Sequence, residues 1–458
     1  MDKMEKIVSL CKRRGFVFQS SEIYGGWEAT YDFGPLGAEV LRNLRNLWWE
    51  EFIQKRPDIV GIDGAIISHP RVWEASGHTK SFADVMVEDT VTNKRYRADH
   101  LTDKIEDGMT PGEVEKIIKK NKIKSPDGNL LSKPKSFNQL VEVGIGTTES
   151  SKTKAYLRGE TCQPIFYNFN LVKNSMRMKL PFGIAQIGKA FRNEIKVGPY
   201  FFRTREFEQM ELEMYLHPKD SDKCFAEFKK WSIDWLISIG LRKENLRLRD
   251  QEFKERAHYN KVATDVEYRF ELSNKDLKTT GGEWKEFQGI HYRSDWDLAR
   301  HGEFSGHDFT YKNEETGEEF IPHIVEYSIG LNRLMLVLLV DAYVKEEKRV
   351  VLKLHPQVAP YKVAIFPLLA NKPKLVSKAK KIFSTLSDKF SVTFDARGNI
   401  GKRYFTQDEI GTPWCVTVDF DTLEDNAVTI RDRDTMKQER VSITKLEEWF
   451  LRKLERVC

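Results

Sequence analysis

Between residues 36 and 53, Val40, Leu41, Leu44, Leu47, Trp48 and Phe52 recur at helical spacing. The pattern predicts a long helix with one buried face, and Gly34-Pro35 just ahead supplies a turn and a helix start. Residues 62–68 form a short apolar, β-prone run stopped by Pro70. From about 89 to 150 the period breaks up: lysines, Asp127-Gly128 and three prolines (Pro111, Pro126, Pro134) predict an insertion or a loosely packed subdomain. Strand-like segments resume from 166 to 215, around a loop rich in Arg and Gly. Residues 221–239 are helical by period, and 264–272 and 283–290 read as strands. Residues 328–340 read as a strand end running into a buried helix. Near 346 the character changes again. Strands are expected at 362–366, 392–395, 414–419, 428–431 and 440–443, and helices at 377–390 and 445–454. That order suggests a compact α/β module.

The chain has 458 residues, 40% hydrophobic and 31% charged, with a net charge of +5, which permits a polyanionic partner without demanding one. Its five cysteines (Cys11, Cys162, Cys224, Cys415, Cys458) form no C-x-x-C pair, so a reducing, cytoplasmic setting is expected. No apolar run approaches the roughly 18 residues of a membrane span, so no membrane partner is expected.

Three stretches carry chemistry. The first is Phe191-Arg192-Asn193-Glu194, followed by the run from Phe201 to Glu211. Strand alternation would put Arg192 and Glu194 on one face. An Arg there can fork onto a phosphate, and a Phe on the returning strand can stack on a base. A salt-bridged hairpin with a solvated loop is an equal alternative. The second runs from Glu326 through Gly330 to Arg333, ahead of Leu334-Met335-Leu336. A cation in the first turn of a helix opposes the helix dipole and calls for an anion, although a surface Arg is the plainer reading. The third runs from Ile66 to His78 and contains Pro70-Arg71-Val72-Trp73-Glu74-Ala75-Ser76-Gly77-His78, a strand end followed by a turn. On its own, His78 reads as a hydrogen-bonded structural histidine.

In order and spacing, these stretches resemble the three signature motifs of class II aminoacyl-tRNA synthetases: helix and strand ending in proline (Pro70), F-R-x-E hairpin, and G-x-x-R strand and helix (Gly330 to Arg333). The sequences at 27–37, 71–78, 96–100, 158–161 and 207–211 narrow the resemblance to the single-chain, homodimer-forming glycyl-tRNA synthetases. It covers nearly the whole chain. The C-terminal module resembles the anticodon-binding domain shared with the histidyl, prolyl and threonyl enzymes.

The resemblance implies an α+β fold: a class II catalytic domain (1–345, antiparallel sheet flanked by helices, insertion at about 89–150) and an α/β anticodon-binding domain (346–458). It implies ATP-dependent activation of glycine and transfer to tRNA(Gly), by a cytoplasmic homodimer using Mg²⁺. Arg192, Glu286 and Arg333 are the implied catalytic residues. Asn193, Glu194, Phe202, Arg203, Thr204, Arg205, Glu206, Phe207, Phe287, Gly330, Leu331 and Asn332 join them around ATP, with Glu286 serving Mg²⁺ through ATP. Arg97, Glu160, the stretch Phe207, Glu208, Gln209, Met210, Glu211, and the stretch Glu326, Tyr327, Ser328, Ile329, Gly330 are implied for glycine. Carboxylates suit the ammonium of an amino acid without a side chain, and larger amino acids can be excluded by steric clash, so no editing domain is expected. The subunit contact is expected at the apolar helix of 36–53, unless that face is simply core.

Two departures matter. Bacterial relatives of this type carry a zinc knuckle around Y-R-A-D-H, but the stretches 87–93 and 123–128 contain no cysteine, so no zinc is expected. Tyr327 stands where motif three has proline, and Phe287 lies in an altered strand. Another class II synthetase, or a non-catalytic synthetase-like nucleic-acid-binding paralogue, is the alternative reading.

Overall fold

The computed structural model describes the chain except residues 1–2, 82, 107–108, 149–151, 195–197, 199, 258, 271–282 and 456–458. The last two residues of the strand expected at 264–272, the end of the 89–150 segment and Cys458 lie outside the described residues.

The predicted helix is α1, Pro35–Trp49, with Pro35 at its first turn after Gly34. A π-turn, Glu50–Gln54, prolongs it. Its apolar face is turned inward: Val40, Leu44, Trp48 and Phe52 have no solvent exposure. Phe52 packs on Trp231 at 4.2 Å and on Tyr327 at 4.6 Å between ring centroids. That face is therefore core of the single chain, the alternative held open for it.

α1 lies against a seven-stranded sheet. Its strands are β1 (Ile59–Gly61), β2 (Phe182–Phe191), β3 (Glu206–Leu216), β4 (Leu246–Asp250), β5 (Val262–Arg269), β6 (Trp284–Ser294) and β7 (His323–Gly330). The order across the sheet is β4-β5-β6-β7-β3-β2-β1. Neighbours are antiparallel except β1, which runs parallel to β2. The expected antiparallel sheet with helices is thus observed. Residues 166–176, within the span expected to be strand-like, are instead largely helical, in the helices Gln163–Tyr167 and Phe169–Met176 (α2). Pro164 suits a first helical turn, and Ile165, Phe166 and Phe169 form an apolar cluster that a short run cannot distinguish from a strand.

Alternation along β3 divides the sheet's faces. Met210, Leu212, Met214 and Leu216 join the main core, while Glu211 and Glu213 point to the opposite side. Along β7, Val325, Tyr327 and Ile329 likewise join the core. The core side is closed by α1, by α3 (Ser221–Ser238) and by α4 (Leu331–Ala342), in which every residue but Arg333 is buried. An all-round apolar helix of this kind belongs inside a domain; each fully buried Leu contributes about 1.5–3 kcal/mol.

The 89–150 segment is better built than its composition suggested. A three-stranded sheet and the helix Pro111–Asn121 enclose Val87, Ala98, Ile105 and Val114. The two cysteine-free stretches meet at Asp89. This fully buried carboxylate accepts from Ser125 Oγ at 2.5 Å, Asn129 Nδ2 at 3.1 Å and the backbone N–H groups of Val91 and Thr92 at 2.9 Å. Burial works against its charge, but these donors outweigh burial and hold the carboxyl well below the usual range.

The C-terminal module has strand order β9-β8-β10-β11-β12, with β8 Val363–Pro367, β9 Val392–Phe394, β10 Trp414–Val418, β11 Ala427–Asp432 and β12 Gln438–Ser442. The helices Pro373–Ser387 (α5) and Leu446–Glu455 (α7) were expected; Ile400–Ile410 (α6) was not. Its inward face carries Arg403, Gln407 and Asp408, which hides the hydrophobic period. Asp408 accepts from Arg349 and Arg431 at 2.7 and 2.8 Å. The module's own core begins at Val363, whereas Leu352, Leu354, Val358 and Ala359 pack with the first core, so the division expected at 345/346 falls within packed chain.

Candidate active site

The polar face of the sheet, over β6, β7, β3 and the end of β2, floors a cavity of about 220 Å³. On its outer side are two guanidinium groups. Arg192, just past β2, donates from Nε to the Gly159 carbonyl at 2.9 Å and lies 5.4 Å from the Phe207 ring. Arg333, in the first turn of α4, donates to the Phe202 carbonyl at 3.0 Å and sits 4.8 Å over the Phe202 ring. Its Nη1 is 4.0 Å from Glu286. The strand register explains why Glu286 faces the cavity. β5 and β6 slip between Val266 and Glu267, which leaves Phe287 as an extra residue packed in the core. A regular strand would put Glu286 on the face of Gln288, whose Oε1 accepts from Ser232 of α3 on the other side. The bulge re-aims the carboxylate.

The inner end is acidic and buried. Glu211 accepts from Thr161 Oγ1 at 2.5 Å, Ser328 Oγ at 2.8 Å and Gln209 Nε2 at 2.9 Å. Glu326 is gripped by the His291 ring and by Arg293 Nη1 at 2.6 Å. Arg293 also binds Asp297 at 2.7 Å and stacks 3.9 Å from Tyr259. Glu160 meets Gln163 Nε2 at 2.8 Å and His78 Nε2 at 3.2 Å. The three carboxylates do not titrate alike. Burial opposes charge at Glu326, but Arg293 and His291 prevail and hold it below its ordinary value. Burial likewise opposes charge at Glu160, and His78, Arg293 and Arg192 hold it low. At Glu211, burial and then the charges of Glu326 and Glu160 push the carboxyl up to about 7. Behind them, opposite Glu326 in the register, lies Glu213, fully buried with neither oxygen hydrogen-bonded and pushed well up by burial. Gly289 leaves room for the His291 ring, since a Cβ there would lie 2.5 Å from it and would have to displace it.

Most of the expected site residues converge here. Arg192, Glu194, Phe202, Arg203, Thr204 and Phe207 line the cavity on its outer side, with Glu286, Asn332 and Arg333. Glu160, Gln209, Glu211, Glu326, Ser328 and Gly330 line it inside. Others are placed elsewhere. Met210, Tyr327, Ile329 and Leu331 point into the core, as alternation and helix phase require. Glu208 borders the cavity, but its side chain turns away to Arg45 at 3.0 Å, while its backbone N–H donates to Asn332 Oδ1 at 2.7 Å. Phe287 packs with the core although its strand borders the cavity. Glu206 is exposed and pairs with Lys189. Asn193 and Arg205 line a separate cleft between the hairpin and the 89–150 segment. Arg97 lies within that segment, paired with Asp84 at 2.7 Å and Asp99 at 2.8 Å, and does not line the cavity.

A family model described as "tRNA synthetase class II core domain (G, H, P, S and T)" matches residues 146–342, and one described as "Anticodon binding domain" matches 362–453. Three relatives, each named "Glycine--tRNA ligase", extend the match end to end. One from Caldanaerobacter subterraneus is 46% identical over 99% of this chain and 98% of its own length. One from Streptomyces coelicolor is 45% identical over 99% of both. One from Staphylococcus aureus is 46% identical over 98% of both. The chain belongs to the glycine–tRNA ligase family.

As a member of this family, the chain brings to the cavity residues that its motifs did not disclose. His291, Arg293, Tyr259 and Gly289 line it and were not foreseen. The available signal was the alternation of His291 and Arg293 with Ile290 and Tyr292, which puts two basic groups on the face opposite two core side chains. His78 was noticed but read as merely structural. The two family models leave residues 343–361 between them, a stretch that the glycine–tRNA ligase relatives cover and whose Leu352–Ala359 part packs with the first core.

Proposed function

We propose that this chain activates glycine with ATP, releasing pyrophosphate, and then passes the glycyl group to the 3′ end of tRNA(Gly). One observation carries the reading: a single cavity holds guanidinium groups and aromatic rings at its outer side and three buried carboxylates at its inner end. The names of its relatives favour the same activity.

In this reading the glycine ammonium enters among Glu160, Glu211 and Glu326, and its carboxylate faces Arg192. Arg192 also holds the α-phosphate in line for attack. Phe207 and Arg333 take the two faces of adenine, with Arg333 extending toward the terminal phosphate. Chemistry of this kind needs no covalent protein intermediate; catalysis is positioning plus charge stabilisation. Magnesium fits at Glu286, whose half-exposed carboxylate is turned to the cavity by the β6 bulge, because Mg²⁺ is commonly held by one or two carboxylates plus substrate phosphates. When bound, the ion neutralises phosphate charge. Ser328, hydrogen-bonded to Glu211, occupies the floor where a larger side chain would have to go.

The catalytic unit is proposed to end near residue 360 and the anticodon-reading unit to follow. A cytoplasmic homodimer is proposed as well, through a surface other than the buried face of α1, and sedimentation tests it. Among the described residues no helix is long and apolar enough to cross a membrane. No zinc is proposed in the 89–150 segment, where Asp89 ties the two stretches together. Pyrophosphate exchange with each of the twenty amino acids tests the main reading. Exchange that depends on glycine alone supports it, and a response to another amino acid overturns it.

A further inference from the structure

The stretch 71–78 has no group in the cavity, yet it is built around one contact to it. Pro70–Ala75 is a short helix that buries Trp73 fully. Gly77 follows at φ +76°, a left-handed turn that glycine adopts without strain. The turn folds His78 back beneath Ser76: Ser76 Oγ is 2.8 Å from Nδ1, and the Trp73 ring meets the imidazole edge-on at 5.3 Å. His78 is only 4% exposed, and its Nε2 points at Glu160 Oε2, 3.2 Å away. The other Glu160 oxygen is held by Gln163 Nε2 and Cys162 Sγ, and Gln163 is itself held by His301 at 2.9 Å.

We infer that His78 is the positioning residue of the ammonium pocket: by donating from Nε2 it keeps the Glu160 carboxylate aimed at the amino group of glycine. Two observations point this way. First, the imidazole is locked on both sides. Because the Glu160 carboxylate can only accept, the proton sits on Nε2; the Ser76 hydroxyl then donates to Nδ1 if the ring is neutral, and both ring nitrogens donate if it is charged. In either state Nε2–H faces Glu160. Second, Glu213 is the same chemical group, buried in the same region, but with no donor on either oxygen, and it does not face the cavity. A buried carboxylate that must meet an ammonium needs donors that fix its direction without filling the pocket. His78 supplies one from outside the cavity wall.

The inference rests on the glycine reading of the cavity, and the test separates the two. Glycine and ATP titrations in pyrophosphate exchange are run on the full chain and on H78A, H78N, H78Q, E160Q and the double variant H78A/E160Q. The H78A variant is expected to raise the glycine KM tenfold or more while the ATP KM stays within twofold. Asn mimics the Nδ1 side and Gln the Nε2 side, so H78N should resemble H78A and H78Q should recover to within about threefold. Because His78 acts through Glu160, the double variant should be no worse than E160Q. An unchanged glycine KM in H78A, a parallel rise of both KM values without rescue by Gln, or additive effects in the double variant overturn the inference. If H78A is recovered unfolded, H78N against H78Q decides, and equal KM values overturn it. Wild-type protein whose exchange does not require glycine overturns the glycine reading itself.

Discussion

Arg192 and Arg333 reach the cavity from its solvent side, held by backbone carbonyls and resting on aromatic rings, whereas Glu160, Glu211 and Glu326 are buried and ringed by side-chain donors. The two ends solve opposite problems. A phosphate brings its own charge, so partly exposed guanidinium groups that rest on backbone carbonyls can trade a carbonyl for the ligand. A single small ammonium cannot offset several buried carboxylates. The protein therefore offsets them internally, with Arg293 and His291 on Glu326 and hydrogen-bond donors from His78 and Gln163 on Glu160, and leaves one, Glu211, short of a cation. The outer end is held by backbone carbonyls; the inner end is held by side-chain donors already in place in the free protein.

Breaking each end should show this difference. The largest expected effect is at the outer end. Removing the guanidinium in R192A should lower glycine-dependent pyrophosphate exchange by about 10²–10³-fold, the usual loss for a group that stabilises developing charge, with little change in thermal unfolding. Near-normal exchange would refute the role of Arg192. At the inner end, E326A should register as stability. It leaves Arg293 and His291 facing each other without their shared carboxylate, and loss of one partner of a buried pair costs about 3–5 kcal/mol, readable by urea denaturation. If R192A proves the less stable variant, the contrast between the two ends is wrong.

A smaller effect concerns pH. The ammonium favours ionised Glu211, whose proton is retained below about pH 7 in the free protein. Glycine binding should release that proton, so the glycine KM should fall as pH rises toward 7 and level off above it. Below pH 7 the slope should approach tenfold per unit. Measurement from pH 6 to 8 checks the sign, and E211Q should flatten the profile. The smallest effect is expected from S328A, which removes one hydrogen bond to Glu211 and should raise the glycine KM severalfold, corresponding to about 1 kcal/mol. Steady-state titration resolves it, and a change above a hundredfold would mean that Ser328 does more than donate and fill space.

The outer end was the more legible. Arg192, Glu194, Phe207 and Arg333 sit within short runs whose order along the chain already marks a hairpin and a strand-to-helix turn. The inner end was legible only in part. Glu211 and Glu326 were named within contiguous stretches, but period-two alternation sends Met210, Tyr327 and Ile329 into the core and keeps only every second residue at the pocket. Arg97 was assigned by its place in a motif, whereas in the fold it pairs with Asp84 and Asp99 of its own segment. His291, Arg293 and Tyr259 carried no local signal strong enough to single them out.

Local patterning by itself determined the elements: α1 with its inward face, the β2–β3 hairpin, the buried α4, and most strands and helices of the C-terminal module. These depend on neighbours three or four residues away in a helix and two in a strand, which a linear chain displays directly. Tertiary structure alone decided what meets across the cavity. It set Glu213 opposite Glu326, slipped the register so that Glu286 faces inward, and brought His78 to Glu160 across 82 positions of chain. Register and long-range contact are properties of the packed assembly, where a one-residue slip turns every side chain to the other face.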